Sequence, residues 1–171
     1  PPATRWALNT RATPLPCSLV ADQLPALRWL GAEATFQGSL DAVRSTAGWQ
    51  GQLAGTFREV DLEELVTRRY DHKLSGTADV CFRRARFADG KLVDAAGDVV
   101  CRGGVVSRSL LAQADRTLGL VADARVRALE ADTLWRYREL DFGFSHSVEG
   151  LQVVGHCSGG EGVVMADQYG P

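Results

Sequence analysis

The stretch EATFQGSLDAVRSTAGWQGQLAGTF, residues 33–57, alternates apolar and polar side chains on both sides of a short polar break. Before the break the apolar or small residues fall mostly at even positions, and after it they fall mostly at odd positions. Successive side chains of a strand point to opposite faces of a sheet, so this period of two indicates two half-buried strands. The stretch therefore predicts an antiparallel hairpin with one apolar face.

The register of this hairpin depends on where its turn lies. A tight turn at Arg44-Ser45 places Leu40 opposite Trp49 and Phe36 opposite Leu53. Both apolar sets then lie on one face, as a half-buried sheet requires.

A second hairpin is predicted over residues 140–157. The apolar face of its first strand is formed by Leu140, Phe142, Phe144, His146 and Val148. A turn at Glu149-Gly150 places Val148 opposite Leu151 and Phe142 opposite Cys157. The sequence GVVMADQYG, residues 162–170, predicts a further strand, and residues 6–11 predict an N-terminal one.

Two helices are predicted between the strands. DLEELVTRRY, residues 61–70, begins with Asp61 as an N-cap and Glu64 three residues later, the spacing of a capping box. SRSLLAQADRTLG, residues 107–119, predicts a helix that begins after Ser107 or Ser109, has an apolar stripe and ends at Gly119, a typical C-cap. Residues 123–136 fit either a helix or a strand.

The segment from Cys81 to Cys101 predicts a third hairpin, with its turn at Asp89-Gly90. In that register Cys81 faces Asp98, three positions before Cys101, which argues against a disulfide between the two cysteines. The chain has two further cysteines, Cys17 and Cys157, and an oxidising compartment would permit two disulfides among the four. The favoured interpretation is that they are small buried apolar side chains.

The length and net charge of the chain limit the classes of protein to which it can belong. The chain has 171 residues, which fits a single β-rich domain over residues 1–171. Its net charge of -2 gives no general attraction to nucleic acid, and no apolar run approaches the ~20 residues of a membrane-spanning helix. Because the chain begins without methionine and ends in strand-like sequence, we expect it to be a piece of a longer protein.

The string GHCSGGEG, residues 155–162, is the best candidate for a catalytic site in the sequence. His156, Cys157 and Ser158 beside glycines suggest a nucleophile loop, yet a nucleophile elbow needs a glycine two positions before the serine, where His156 stands. A strand followed by a loop explains the string as well, so we predict no catalytic role. The remaining histidines, His72 and His146, lack the spacing of metal ligands, and we predict no metal or other cofactor.

These elements predict an α+β fold that is mainly β: an antiparallel curved sheet built from hairpins, groove-like, with two or three short helices between the strands. The apolar face either packs against a core or stays open as a groove for an apolar ligand. Periodicity does not separate these alternatives, since both require the same one-faced pattern.

The order of the elements resembles the AsmA-like family of bacterial envelope proteins, to which TamB-type proteins are related. The resemblance covers residues 24–165. It is carried by the segments AEATFQGSLDA, GWQGQLAGTF, VDLEELV, LSGTADV, ARFADGKL, GDVVCRGGVVSRSLL and LDFGFSHSVEGLQVVG. Their shared features are glycine and apolar positions in hairpins, with no invariant catalytic set.

The resemblance implies a non-catalytic β-groove module in the periplasm or cell envelope. It implies an inner-membrane anchor outside these residues, a role in outer-membrane biogenesis and lipid transport, and contact with neighbouring segments of the same full-length protein. The partner it implies is a phospholipid or another ligand with acyl chains. The side chains expected to line the groove are Phe36, Leu40, Trp49, Leu53, Phe57, Phe142 and Phe144. The alternative is a scaffold module that assembles through its sheet edges without a ligand.

Overall fold

The computed structural model describes residues 4–10, 12–46, 48–89, 91–128, 130, 133–158 and 160–168. The strands are β1 (Thr4–Asn9), β2 (Leu15–Pro16), β3 (Thr35–Ser45), β4 (Gly48–Asp61), β5 (Leu74–Ser75), β6 (Thr77–Ala88), β7 (Lys91–Cys101), β8 (Gly104–Ser107), β9 (Leu134–Tyr137), β10 (Glu139–Ser147), β11 (Gly150–Gly155) and β12 (Met165–Ala166). The helical segments are 3₁₀ turns at Cys17–Val20 and Pro25–Leu30, a π-helical turn at Glu63–Thr67, and the α-helices α1 (Arg108–Leu118) and α2 (Ala124–Arg127).

Nine of the strands form one antiparallel sheet. Its main path runs β1-β3-β4-β6-β7-β10-β11, with β2 beside β3 and β12 beside β10. A second sheet of three strands has the order β5-β8-β9. The expectation of a mainly β, antiparallel and open architecture with a few short helices is confirmed. Among the described residues, none of the helices has the length and apolar composition needed to cross a bilayer.

The predicted hairpin of residues 33–57 forms, but its predicted register is wrong by four residues. Ser45 pairs with Gly48, so Leu40 faces Leu53 and Phe36 faces Phe57. A shift by an even number keeps every side chain on its face, so the common apolar face is retained. In the observed register the rings of Phe36 and Phe57 are in contact, with centroids 4.8 Å apart. The predicted register would have placed Phe36 opposite Leu53 instead.

The C-terminal hairpin also forms with a different turn from the one predicted. Ser147 pairs with Gly150, so Phe142 faces Gly155 rather than Cys157, and Val148 lies in the turn, 97% exposed. The Ser147 hydroxyl accepts a hydrogen bond from the Glu149 N–H at 3.1 Å, which stabilises a turn at Val148-Glu149. This turn lies one position earlier than predicted, so the pairing shifts by two residues.

The hairpin between Cys81 and Cys101 has the predicted register at Cys81, which faces Asp98, while Cys101 faces Ala78. Two register shifts, between Phe82 and Arg84 and between Arg86 and Phe87, offset each other along the hairpin. Ala88 pairs with Lys91, which agrees with a two-residue turn at the predicted place, although Gly90 lies outside the described residues.

The bounds of the remaining predicted elements differ from those that the sequence suggested. The N-terminal strand ends at Asn9, and Arg11 lies outside the described residues. The last predicted strand pairs only at Met165–Ala166, and residues 169–171 also lie outside. The ambiguous segment 123–136 contains both α2 and the start of β9.

Both predicted helix starts are confirmed. An Asp61 carboxylate oxygen accepts the N–H groups of Glu63 and Glu64, at 2.8 and 3.3 Å, although only a short π-helical turn follows. At α1, the Ser107 hydroxyl accepts the N–H of Leu110, and Gly119 ends the helix with a φ of 68°.

The core lies at one end of the large sheet, away from the three hairpin turns. One cluster packs under α1 and the small sheet and contains Leu62, Ala78, Cys101, Val106, Tyr137 and Leu140. The other packs under the 3₁₀ turns and contains Cys17, Ala34, Phe36, Phe57 and Val60. Leu65, in the π-helical turn, touches both clusters and joins them.

Candidate ligand-binding face

Strand register divides the apolar face of the large sheet into rows that run across the strands. The central row takes one residue from each of seven strands: Leu8, Leu40, Leu53, Ala85, Ala95, His146 and Leu151. The turn-side row lies nearer the hairpin turns: Trp6, Ala42, Gly51, Phe87 and Leu92. The glycine row lies on the other side: Gly38, Gly55, Phe82, Gly97, Phe144 and Val153. None of the three rows contains Lys, Arg, Asp or Glu, and together we call them the open half.

Side chains of the open half keep part of their surface in solvent. Leu40 and Leu53 are half-buried, and Leu92 and Leu151 are 44% and 49% exposed. The small Ala85 and Ala95 are buried, since larger side chains of the same rows flank them. The described chain therefore leaves a continuous apolar surface of half-covered side chains at this end of the sheet.

The next row, at the other end, is covered. Phe36 and Phe57 are only 4% and 9% exposed, because Cys17, Leu27 and Leu30 of the 3₁₀ turns pack on their cluster. These two residues of the predicted groove lining thus belong to the core and not to an open surface. The other five, Leu40, Trp49, Leu53, Phe142 and Phe144, are half-buried. Of these, Phe142 lies in the same row as Phe57 and packs against the core cluster under α1.

Aromatic rings lie over glycines in the glycine row. Phe82 and Phe144 flank Gly97 in the cross-strand pairing, and their ring centroids lie 5.5 Å apart in an edge-to-face arrangement. A Cβ added to Gly97 would lie 2.9 Å from Cζ of Phe144 and would overlap the carbonyl oxygen of Cys81. The glycine thus lets the two rings meet across the strand between them.

Two tryptophans lie at the end of the apolar face that is nearest the hairpin turns. Trp6 and Trp49 pack edge to face with centroids 6.4 Å apart, and the Arg44 guanidinium lies 5.9 Å from the Trp49 ring. Both rings are half-buried, so they extend the apolar surface towards the turns.

Several contributors to the open half were not predicted as lining residues from the sequence: Trp6, Leu8, Phe82, Phe87, Leu92, Leu151 and Val153. Trp6 and Leu8 lie in a strand of six residues, which is too short to give a strong periodic signal. Phe82 and Phe87 are on one face although they are five positions apart, because an extra residue interrupts the alternation between Phe82 and Arg84.

Comparisons of the chain with protein-family models, with curated proteins and with solved structures find no match.

The opposite face of the large sheet is polar. One of its rows joins Ala7, Asp41, Gln52, Arg86 and Asp94. Ion pairs link Arg5 to Asp41 at 2.7 Å and Arg84 to Asp94 at 2.8 Å, and all four side chains keep contact with solvent. A shallow depression of about 800 Å³ lies here. Because these ion pairs remain in contact with solvent, we interpret this face as the solvated one. Exposed pairs of this kind each stabilise a fold by typically less than about 1 kcal/mol.

The side chains of the GHCSGGEG string have separate partners. His156 Nδ1 lies 3.6 Å from an Asp141 carboxylate oxygen, and Cys157 is 3% exposed, with burial raising the pKa of its thiol. The Ser158 hydroxyl donates to a Glu139 carboxylate oxygen at 2.5 Å, a bond that lowers the pKa of that carboxyl. The Cys157 side chain is buried, and that of His156 is exposed.

The other two histidines form hydrogen bonds to single neighbours. His72 Nδ1 lies 3.0 Å from the Ser109 hydroxyl near the start of α1, and His146 Nε2 lies 3.3 Å from the Leu92 carbonyl oxygen. Within the described ranges, no cluster of three His, Cys, Asp or Glu residues has the arrangement of a metal site.

The four cysteines are free thiols in the structure. Cys17, Cys101 and Cys157 are buried and Cys81 is half-buried. The Cys101 sulfur lies 3.3 Å from the Tyr137 hydroxyl, which donates to the Ser75 carbonyl oxygen at 2.6 Å. For the three buried cysteines, the interpretation as small core side chains agrees with their packing.

Burial of Cys17 predicts a loss of stability in alkali. Burial raises the pKa of its thiol from 9.0 to about 11, so above pH 9.0 the unfolded chain releases a proton that the folded chain retains. This contribution to stability is complete below pH 9.0 and is lost as the pH rises towards 11. We expect the free energy of unfolding, measured in urea across that range, to fall less steeply in Cys17→Ala than in the native chain. Cys81→Ala is the control and should keep the native slope. Equal slopes in all three proteins would contradict the prediction.

Proposed function

We propose that this chain is a non-catalytic β-groove module of an AsmA-like envelope protein, whose open half shields acyl chains of a phospholipid. The observation that carries the proposal is the central row, which crosses seven strands from Leu8 to Leu151 without a Lys, Arg, Asp or Glu side chain. An acyl chain offers no hydrogen-bonding group along its length, so an uncharged and half-covered surface is its natural complement.

The binding energy in this proposal comes from burial of apolar surface. Each methylene of a ligand that leaves water contributes about 0.8 kcal/mol, and the half-exposed side chains of the open half gain burial as well. The three rows lie side by side along the strands and none carries Lys, Arg, Asp or Glu, so a bound chain has more than one position without a charged neighbour. Such a surface suits a ligand that moves along it, and transfer needs no chemical step.

The sequence resemblance supports the proposed location in the cell envelope. In the AsmA-like family such modules belong to proteins of the periplasm or cell envelope that are anchored in the inner membrane. By this analogy, membrane contact is made by a segment other than these 171 residues. Neighbouring segments of the same full-length protein continue the groove.

A matched pair of variants tests the proposal. Leu53 lies on the open half, and Ala54 is its exposed neighbour on the polar face. Titration with a dansyl-labelled fatty acid should give saturable binding to the native chain. We expect Leu53→Gln to weaken that binding about tenfold, because loss of one buried leucine contact removes roughly 1.5 kcal/mol or more. Ala54→Gln should bind as the native chain does.

Two outcomes contradict the proposal. One is a native chain that binds no labelled fatty acid, which favours the ligand-free scaffold. The other is an equal loss in Leu53→Gln and Ala54→Gln, which places any binding outside the open half. Circular dichroism of each variant confirms that the fold is retained.

A further inference from the structure

A bulge in β6 brings arginines together on the polar face of the large sheet. Phe82 and Arg84 pair with consecutive residues of β7, so Arg83 is an extra residue between two paired positions. Regular alternation would point Arg83 and Arg84 to opposite faces, yet both line the depression on the polar face. Arg86, two positions further along β6, lines it as well. Three exposed arginines of one strand therefore share one concave surface.

The acidic residues around this depression do not match all of its arginines. Three ion pairs each join one arginine of the polar face to one aspartate: Arg5 to Asp41, Arg83 to Asp98 and Arg84 to Asp94. Among the described residues, no acidic side chain forms an ion pair with Arg86, whose neighbours across the strands are Gln52 and Asp94. One guanidinium charge in the depression thus has no partner of its own.

Asp94 orients Arg84 and leaves most of its hydrogen-bond donors free. The Arg84 Nε donates to an Asp94 carboxylate oxygen at 2.8 Å, and within the described chain its terminal Nη groups have no partner. A guanidinium presents its N–H groups as a planar fork that matches two oxygens of a phosphate. Arg84 and Arg86 are two positions apart on one face, so their Cα atoms lie about 7 Å apart. Both side chains can therefore reach the same phosphate group.

We propose that Arg84 and Arg86 bind the phosphate group of a small phosphorylated polyol in this depression. The volume of about 800 Å³ exceeds that of a phosphate ion, and the exposed side chains of Ser39 and Gln52 offer neutral hydrogen-bonding groups to hydroxyls beside it. Among the described residues, no aromatic side chain lines the depression, which argues against a nucleotide, since a base would lack a ring to stack on.

The affinity is expected to be low because the depression is open to solvent and salt screens its charges. Glycerol 3-phosphate is the first probe, and we expect a Kd on the order of 1 mM. Titration followed by two-dimensional NMR should shift the side-chain amide resonance of Gln52 and the Nε–H resonances of Arg84 and Arg86. Sodium chloride at equal ionic strength should leave these resonances in place.

Variants at Arg86 test the site. Arg86 is exposed, so its replacement leaves the core untouched, and circular dichroism checks the fold. Arg86→Ala should weaken binding of glycerol 3-phosphate about tenfold, because a charge-assisted pair of hydrogen bonds is lost. Arg86→Lys should recover only part of the loss, since lysine keeps the charge without the fork. Arg58→Ala is the matched control: Arg58 is exposed on the same face of β4 outside the depression, and its loss should leave binding unchanged.

A second probe identifies the source of the phosphorylated polyol. Phosphatidylglycerol carries the same phosphoglycerol group on a lipid, so vesicles of phosphatidylcholine with and without phosphatidylglycerol form the second arm. A response to glycerol 3-phosphate that Arg86→Ala weakens supports a soluble ligand. Sedimentation with phosphatidylglycerol vesicles alone, lost in Arg86→Ala and kept in Arg58→Ala, supports a lipid headgroup.

Two results overturn the proposal. One is a native chain that responds to neither probe, and the other is an equal loss of binding in Arg86→Ala and Arg58→Ala, which would show a general effect of net charge. The depression lies on the face opposite the open half, so failure here leaves the fatty-acid experiment unaffected, and the reverse also holds.

Discussion

Gly97→Val is expected to lower the free energy of unfolding by about 3 kcal/mol, the upper part of the range for overpacked sites. A Cβ at position 97 would overlap the Cys81 carbonyl oxygen and press on the Phe144 ring. Moving the carbonyl would disturb the pairing of β6 with β7, and moving the Phe144 ring would break its edge-to-face contact with Phe82. Valine is favoured over glycine in strands by up to about 1 kcal/mol, which offsets only part of this cost.

The matched control for this prediction is Ala96→Val, the same new residue one position earlier. Ala96 lies on the polar face between Arg84 and Ser145 and is half-buried. We expect its stability to remain within about 0.5 kcal/mol of the native value. Urea denaturation followed by circular dichroism measures both. A native-like midpoint for Gly97→Val would show that the strands around position 97 separate at little cost.

Phe57→Ala is expected to destabilise the fold by about 3 to 5 kcal/mol, the range for removal of a buried phenylalanine. The Phe57 ring packs between Phe36, with centroids 4.8 Å apart, and Phe82, with centroids 6.1 Å apart. Its loss opens a cavity beneath the 3₁₀ turns, where Leu27 and Leu30 reach the same cluster.

Leu53→Ala is the comparison for Phe57→Ala, since both residues lie on the apolar face of β4 and both were predicted to line a groove. Leu53 is only half-buried, so its truncation should cost less than about 2 kcal/mol. Equal costs for the two variants would mean that the apolar face is not divided into a covered and an open half.

Much of the local structure was predictable because it depends on neighbouring residues alone. The alternation around Phe36 and Trp49 indicated two strands with a common face, and both strands are present. Ser107 and Gly119 marked the ends of α1 through the hydrogen-bonding needs of a helix terminus. The predicted position of Cys81 opposite Asp98 is also confirmed, since two register shifts in that hairpin offset each other.

The candidate site was predictable only in part. Leu40, Leu53 and Phe144 were predicted from alternation and lie on the open half. Phe36 has the same signal and lies in the core, because the 3₁₀ turns between Cys17 and Leu30 cover it. That segment has no regular periodicity, so nothing in its sequence indicated where it packs.

The sequence by itself determined the strands and the shared apolar faces of the hairpins at residues 33–57 and 140–157. The reason is geometric: the period of two is a property of the extended backbone and survives any register shift by an even number of residues. The tertiary structure alone decided the registers of those two hairpins, the placing of β1 beside β3, and the division of the apolar face into covered and open halves. These features depend on contacts between residues far apart in the chain, such as Phe36 with Phe57 and Phe82 with Phe144, where ring shape and glycine backbones must fit together.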